Sequence, residues 1–340
     1  MRAEIAEQPA RWRVLLARRD EIDAAAAVIA RADPELILLA ARGSSDHAAM
    51  YAQYLVHTVL GVPAALTTPA SVTVHGARLR YPRTVALAVS QSGRSPDLLA
   101  TVHAISDAGV PVVSYTNDRT SALALSGDVS VDLAAGTELA VAATKTYTAE
   151  LLALALTILR AAGRDWSELD DAIDRLADGV AADLREDADI LAAADELAGR
   201  DRVLVAGRGL SMSSAKEAAL KLMETNAIAA SGWSAADAIH GPLGQVVPGT
   251  AVVLLTAAEA GRASVLEFGE RAADLGAVVV EVGPGIVPSA RVRLRVAAVG
   301  ETWAPLAEIV PLQRLALALA IASGKDPDQP EGLRKVTLTT

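Results

Sequence analysis

The chain contains no cysteine. That excludes a disulfide framework, a thiolate metal site and a cysteine nucleophile. Aromatic residues are scarce as well: four Trp, five Tyr and a single Phe among 340 residues. A core must therefore be built from aliphatic side chains. Material for one is ample, since hydrophobic residues make up 52% of the sequence, and this excludes disorder as the main character. Basic residues are in deficit, 31 against 41 acidic ones, for a net charge of −10. The arginines lie scattered among acids, so no basic patch offsets the repulsion of a phosphate backbone, and no nucleic-acid partner is expected. Long hydrophobic runs are missing. The longest, 151–159 and 315–322, fall short of the roughly 20 residues that span a bilayer. Both read as buried helices. The first twenty residues carry Arg, Glu and Asp without an apolar h-region, so no signal peptide is expected. Five dispersed histidines without cysteine form no ligand cluster, so neither metal nor cofactor is implied. The expectation is a soluble, cytoplasmic protein with no membrane partner.

What is present is alternation. Short apolar runs at 36–40, 84–89, 110–115 and 129–133 are separated by alanine-rich helical stretches, and runs at 202–206, 251–255 and 277–282 repeat the pattern. Strands that are apolar at consecutive positions suit a parallel sheet covered on both faces. The fold class expected is α/β, and the length suits roughly two domains of about 150 residues. LILLAARGSS (36–45) and VLVAGRGLSMSS (203–214) are similar strand ends, which points to a weak internal duplication. Between the halves, 166–199 is rich in Ala, Asp, Glu, Arg and Leu without proline, a composition that favours a helical linker. Gly163 and Gly199 mark its ends, and Gly179 argues against one continuous helix.

The most informative stretch is VALAVSQSGRSPDLLATVHAI, 85–105. A strand runs directly into Ser90-Gln91-Ser92-Gly93. Ser95 then fits an N-cap, Pro96 the first helical position and Asp97 the first turn. Hydroxyls, an amide and a permissive glycine thus meet at a helix N-terminus, where free N–H groups and the dipole favour a phosphate. The loop also follows a parallel strand, the end at which open α/β sheets bind ligands. The same pattern equally suits an ordinary capped turn. Gly43-Ser44-Ser45 is a second such strand end. Thr116-Asn117-Asp118 is a third, where Asp118 suits a cap better than a phosphate contact. With no Walker A sequence and no GxGxxG after the first strand, a phosphorylated small molecule fits better than a nucleotide.

On a helix expected over 214–228, Glu217, Lys221 and Glu224 are spaced four and three apart and share a face. For a surface helix they would simply be a solvated, paired stripe. Ala218, Ala219, Leu220, Leu222 and Met223 instead make the helix apolar nearly all round, so these charges are expected to be buried with partners or a task. Among the histidines, His47, His57 and His103 sit in helical patterns and suit packing or surface roles, and His75 lies in a polar stretch. His240 precedes Gly241-Pro242 and is expected on a loop.

Taken together, these segments resemble the double SIS-domain (sugar isomerase) family. The relatives are the isomerase module of glutamine:fructose-6-phosphate aminotransferase and stand-alone isomerising amino-sugar-phosphate deaminases. The resemblance covers nearly the whole chain and is carried by EIAEQP (4–9), RGSS (42–45), SQSGRSPD (90–97), TELAVAATKTYT (137–148), EAALKLMET (217–225), SAADAIHGPLGQV (234–246) and DQPEGLRKVT (328–337). It implies two SIS domains, 20–165 and 201–325, each a parallel sheet in a three-layer sandwich, with a helical linker at 166–200 and a catalytic tail at 326–340. It implies that Ser44, Ser45, Ser90, Gln91, Ser92 and Ser95 hold the sugar and its phosphate. Glu224 matches the base that moves a proton between C1 and C2, with Lys221 beside it. His240 matches a ring-opening histidine supplied by a neighbouring subunit, so a homodimer with a shared site is expected. Lys335 matches a lysine that forms a Schiff base with the keto sugar.

The residue types suit that chemistry. A buried carboxylate can shuttle a proton on one face of an enediol or enolamine. A histidine suits ring opening, and an amine activates a ketone as an imine. The chain also departs from the aminotransferase. It lacks the glutaminase cysteine, Arg94 stands where an acid is common, and Ala143 replaces a substrate-contacting serine. Asp237 gives the histidine segment a look closer to the deaminases. The expected function is an amino-sugar-phosphate deaminase/isomerase, with glucosamine 6-phosphate, fructose 6-phosphate and ammonia as reactants. The alternatives are a fructosamine-phosphate deglycase and a non-catalytic sugar-phosphate sensor.

Overall fold

Two five-stranded sheets form, and every strand pairing within them is parallel. The computed structural model describes residues 1–335. The end of the expected tail, 336–340, lies outside the described residues. The first sheet contains β1 (Leu36–Ala40), β2 (Ala64–Leu66), β3 (Thr84–Val89), β4 (Val112–Thr116) and β5 (Val129–Asp132), in the order β2-β1-β3-β4-β5. The second contains β6 (Arg202–Gly207), β7 (Ala229–Ser234), β8 (Ala251–Leu255), β9 (Val278–Val282) and β10 (Ala290–Leu294), in the order β10-β9-β8-β6-β7. Each half, counted from its own first strand, has the same order, 2-1-3-4-5. The duplication read from the two strand ends is thus a duplication of topology.

Every residue of β3, β4, β8 and β9 is buried. Helices cover both faces, which is why these strands are apolar throughout rather than alternating. The seven expected strands all form, with ends shifted by at most two residues. The three strands not anticipated, β2, β7 and β10, all lie at sheet edges. An edge strand needs less apolar surface. β2 has three residues, β7 contains Gly232, and β10 alternates Arg291, Val292 and Arg293.

By packing, the chain divides into two units that are not contiguous in sequence. One comprises Ala10–Glu138 and Lys145–Ile173 with Arg334 and Lys335, and the other Met1–Pro9, Leu139–Thr144 and Asp174–Leu333. In the first unit, Leu98, Val102 and Ile105 of the helix Pro96–Asp107 pack on Leu38, Ala40, Ala86, Ala88 and Val112. Each such side chain contributes about 1.5–3 kcal/mol through burial. In the second, Val265, Phe268 and Ala272 of the helix Arg262–Asp274 cover Leu204, Val252, Leu254 and Val279. The single phenylalanine is thereby used at the centre of a core.

The linker differs from expectation in where it breaks. Gly179 lies within a continuous helix, Trp166–Asp183, and the interruption comes before the next helix, Ala188–Leu197. Gly179 serves packing: a Cβ there would stand 2.6 Å from that of Ala297. The runs at 151–159 and 315–322 belong to the helices Lys145–Ala161 and Ala304–Ala322. Among the described residues one segment, Glu301–Ala322, is long and apolar enough to cross a membrane, although the run alone looked too short. Most of it is buried within the protein, so its apolar surface is already used by the core.

Candidate active site

In the first unit the loop after β3 is held from several sides. The Gln91 carbonyl accepts from Asn117 N (3.1 Å) and Thr116 Oγ1 (3.2 Å). Ser90 Oγ accepts from Gly93 N at 3.1 Å, and the Gly93 carbonyl accepts from Leu123 N at 3.1 Å. Gly93 adopts φ +60, and a Cβ there would lie 2.2 Å from Ser121 Oγ. Only glycine combines that dihedral with so close an approach. The loop leads into the helix Pro96–Asp107 with Pro96 in its first turn, as expected. Ser95 occupies the N-cap position but makes no side-chain capping bond, so its hydroxyl is not used by the helix amides. Ser92 and Ser95 are half-buried, and Ser90 is buried.

Asp97 would be an unwelcome charge at an anion cradle. It is neutralised locally. Arg42 donates to Asp97 Oδ2 through Nε (2.8 Å) and Nη2 (2.6 Å), and Leu98 N donates to Oδ1. This pair joins the RGSS and SQSGRSPD segments, a link that the separate motifs did not disclose. Ser44 begins the helix Ser44–Leu55 and is half-buried. Ser45 is buried, and its hydroxyl donates to Glu150 Oε1 at 2.8 Å. Asp118 accepts from Thr120 N and Oγ1 and from Arg94 Nη2 (2.7 Å). The Thr120 hydroxyl first, then the Arg94 bond, holds its carboxyl down at about 2. Asp118 thus accepts within a turn, while the cap of the helix that follows, Ala122–Ser126, is Ser121.

Lys335 is brought to the same unit. Its Nζ donates to Glu138 Oε2 at 2.9 Å. Gln91 Nε2 donates to that same oxygen at 2.6 Å, and Thr146 N donates to Glu138 Oε1 at 3.2 Å. Glu138 is the member of this cluster that the motifs leave unmarked. Its signal was available: it is the only charge in the stretch 133–144.

In the second unit the helix Ser211–Asn226 carries the acid–lysine–acid set. Lys221 Nζ lies 3.1 Å from Glu217 Oε1 and 2.6 Å from Glu224 Oε2. The Lys221 and Glu217 side chains are fully buried, while that of Glu224 is 21% exposed. Burial acts to lower the Lys221 ammonium, but the two carboxylates outweigh it and the net direction is up. Of the three, Glu224 is the group open to a ligand. His240 follows the short helix Ala235–Ala238, with its backbone N donating to Asp237 O at 3.1 Å. Its ring has no hydrogen-bond partner among the described residues. His57 and His103 hold local bonds, to Ala64 N (3.0 Å) and with Ser126 Oγ (3.1 Å). Both side chains are exposed, which agrees with a surface role.

The loop after β8 is the topological counterpart of the Ser90–Ser95 loop, and it is closed. Glu301 Oε2 accepts from Glu259 N (2.6 Å) and Ala260 N (3.2 Å) just before the helix Arg262–Asp274. An internal carboxylate thus takes the amides that the loop would present to an anion.

A SIS domain model matches residues 32–160 and 196–322. An isomerizing glutamine–fructose-6-phosphate aminotransferase of Pyrococcus horikoshii is 31% identical over 304 residues, covering 88% of this chain and 51% of that protein. The chain spans about half the length of the curated relatives it matches. A provisionally named phosphosugar isomerase from Silicibacter pomeroyi superposes with a TM-score of 0.87 at 35% identity, over 96% of this chain and 99% of the other. A glucosamine-6-phosphate deaminase from Thermotoga maritima gives a TM-score of 0.75 at 21% identity, over 95% of this chain and 99% of its own, a likeness of fold. With both halves matched and one sheet topology repeated in each, the chain belongs to the SIS domain family, as a tandem of two SIS domains.

Proposed function

We propose that the chain is an amino-sugar-phosphate deaminase/isomerase that converts glucosamine 6-phosphate and water to fructose 6-phosphate and ammonia. The observation that carries the reading is the meeting of an amine with the hydroxyl loop. Lys335 and Gln91 share one oxygen of Glu138, at 2.9 and 2.6 Å. A loop of hydroxyls at a helix N-terminus suits a phosphate, and a primary amine beside it suits a carbonyl carbon. Family membership and the names of the relatives support the same class of substrate.

In this reading the phosphate binds among Ser44, Ser45, Ser90, Gln91, Ser92 and Ser95. The engaged hydroxyl of Ser45 leaves its helix-terminal position as its contribution. His240, from a partner subunit, moves the proton from the anomeric hydroxyl to the ring oxygen, and the ring opens. Glu224 removes the proton at C2 while a proton of the C2 ammonium passes to O1, giving an enolamine; it then returns its proton to C1, leaving a protonated imine at C2. Lys221, at 2.6 Å, fixes the position of the Glu224 side chain. The Lys335 amine adds to C2 and ammonia leaves, so one C–N bond replaces another. Water then adds to the lysine imine, the C–N bond breaks, and the keto sugar departs.

The test is ammonia release from a panel of sugar phosphates, with Glu224→Gln as control. Loss of a general base costs on the order of 10²–10⁴-fold in rate. Release from glucosamine 6-phosphate that collapses in the variant supports the proposal. Amine release from fructosamine phosphates alone would replace it with a deglycase, and binding without turnover across the panel would replace it with a sensor.

A further inference from the structure

The geometry points to Glu138 as the positioning residue for Lys335, tying the tail amine to the substrate loop. This rests on the deaminase/isomerase reading of that loop. Nothing in the Schiff-base chemistry itself requires such a carboxylate, so the argument comes from geometry and conformational freedom.

Lys335 lies beyond the last described helix, Ala304–Ala322, in a stretch without regular secondary structure. No backbone ladder fixes its side chain. A lysine held in one rotamer gives up roughly 1.5–2 kcal/mol of entropy, and attack on a carbonyl needs the nitrogen within about 3–3.5 Å of carbon. Something must therefore hold it. The Glu138 side chain is fully buried and the Lys335 side chain is 25% exposed. Glu138 is itself fixed, because Thr146 N, at the start of the helix Lys145–Ala161, donates to Oε1. That leaves Oε2 to receive both Lys335 Nζ and Gln91 Nε2. A shared oxygen makes the amine's position depend on the loop's position. A ligand that orders Gln91 also orders the lysine.

The covalent step balances without another reagent. The lysine ammonium and a keto sugar give a protonated imine and one water. The N–C2 bond forms, the C2–O bond breaks, and nitrogen supplies both protons that the water carries away. Borohydride then adds a hydride to the imine carbon and fixes the adduct as a secondary amine.

The experiment traps the full-length protein with fructose 6-phosphate and borohydride, and maps the adduct by mass. Binding of sorbitol 6-phosphate, which has no carbonyl, is measured in parallel. Wild type is expected to carry the label on Lys335. Glu138→Gln is expected to bind sorbitol 6-phosphate within about threefold of wild type. Its maximal trapping rate at saturating ketose is expected to fall at least about tenfold. Glu138→Asp, which keeps the charge but withdraws it by one methylene, is expected to lie between. It also serves if the glutamine variant does not fold. Trapping by both variants at the wild-type rate overturns the role while leaving the functional reading intact. Equal loss of trapping and of sorbitol 6-phosphate binding also overturns it, since Glu138 would then merely shape the loop. No trapping in wild type removes both this inference and the Schiff-base step beneath it.

Discussion

Burial sets the charge state of Glu308. It lies on the helix Ala304–Ala322, is fully buried, and accepts from Ser211 Oγ at 3.1 Å. Burial pushes its carboxyl up to about 8, against the opposing effect of the Ser214 and Ser211 hydroxyls. Below about pH 4.5 the group is protonated in both folded and unfolded chains. Between there and pH 8 the unfolded chain ionises first, so the folded state binds more protons and stability falls as pH rises. A tenfold change in proton affinity is worth about 1.4 kcal/mol, so the loss is on the order of a few kcal/mol. Glu308→Gln should remove this slope. Urea unfolding at pH 5 and pH 8 checks it, and the variant is expected to gain on wild type at pH 8. Equal slopes in both proteins would show that Glu308 is ionised in the fold. The first half has a counterpart in Ser45 and Glu150, where a serine at the start of one helix again donates to a glutamate on another. Such pairs join helices within each half and were invisible as motifs, because serine and glutamate are common residues far apart in the chain.

At the scale of elements, β3, its loop and the helix Pro96–Asp107 form one device. Their sequence was readable because each step is local: an apolar strand, a permissive glycine and a proline in the first helical turn. The reason for the glycine was only partly readable. Its left-handed φ follows from local turn geometry, but the contact with Ser121 does not. Ser121 Oγ caps the helix Ala122–Ser126 by accepting from Ala124 N. Gly93→Ala must therefore strain the backbone and disturb that cap, at about 1–3 kcal/mol for the dihedral alone. Weakened sugar-phosphate binding, by at least about tenfold (about 1.4 kcal/mol), is expected in a titration. Gly163→Ala provides the comparison, since Gly163 has φ +82 but nothing within 4 Å of the added Cβ. Equal effects of the two substitutions on binding would remove the loop contact as the cause. The closed counterpart after β8 follows the same logic. Topology made the two loops equivalent, and Glu301 made them unequal.

At the scale of the molecule, the residues proposed for catalysis and binding are divided between the two packing units. Lys335, Glu138 and the serine loop lie in one packing unit, and Lys221, Glu224 and His240 in the other. The proposed function calls for a homodimer, in which His240 would act on a partner's substrate. Light scattering during turnover tests this. A catalytically active monomer would rule out the role of His240 in trans, whereas activity that falls on dilution together with the dimer peak would support it.

The sequence by itself determined the α/β class, the doubled domain and the central strands, because burial on both faces writes an apolar run that needs no knowledge of its neighbours. It also disclosed the serine loop and the spacing of Glu217, Lys221 and Glu224, which successive helix turns bring onto one face. Only the tertiary structure decided the edge strands, the Arg42–Asp97 link, the internal carboxylate at the second loop and the clamp on Lys335. Lys335 and Glu138 are 197 positions apart. Nothing local in either segment selects the other. What joins them is an ion pair between a buried carboxylate and the tail amine, a contact that exists only once the chain has folded around it.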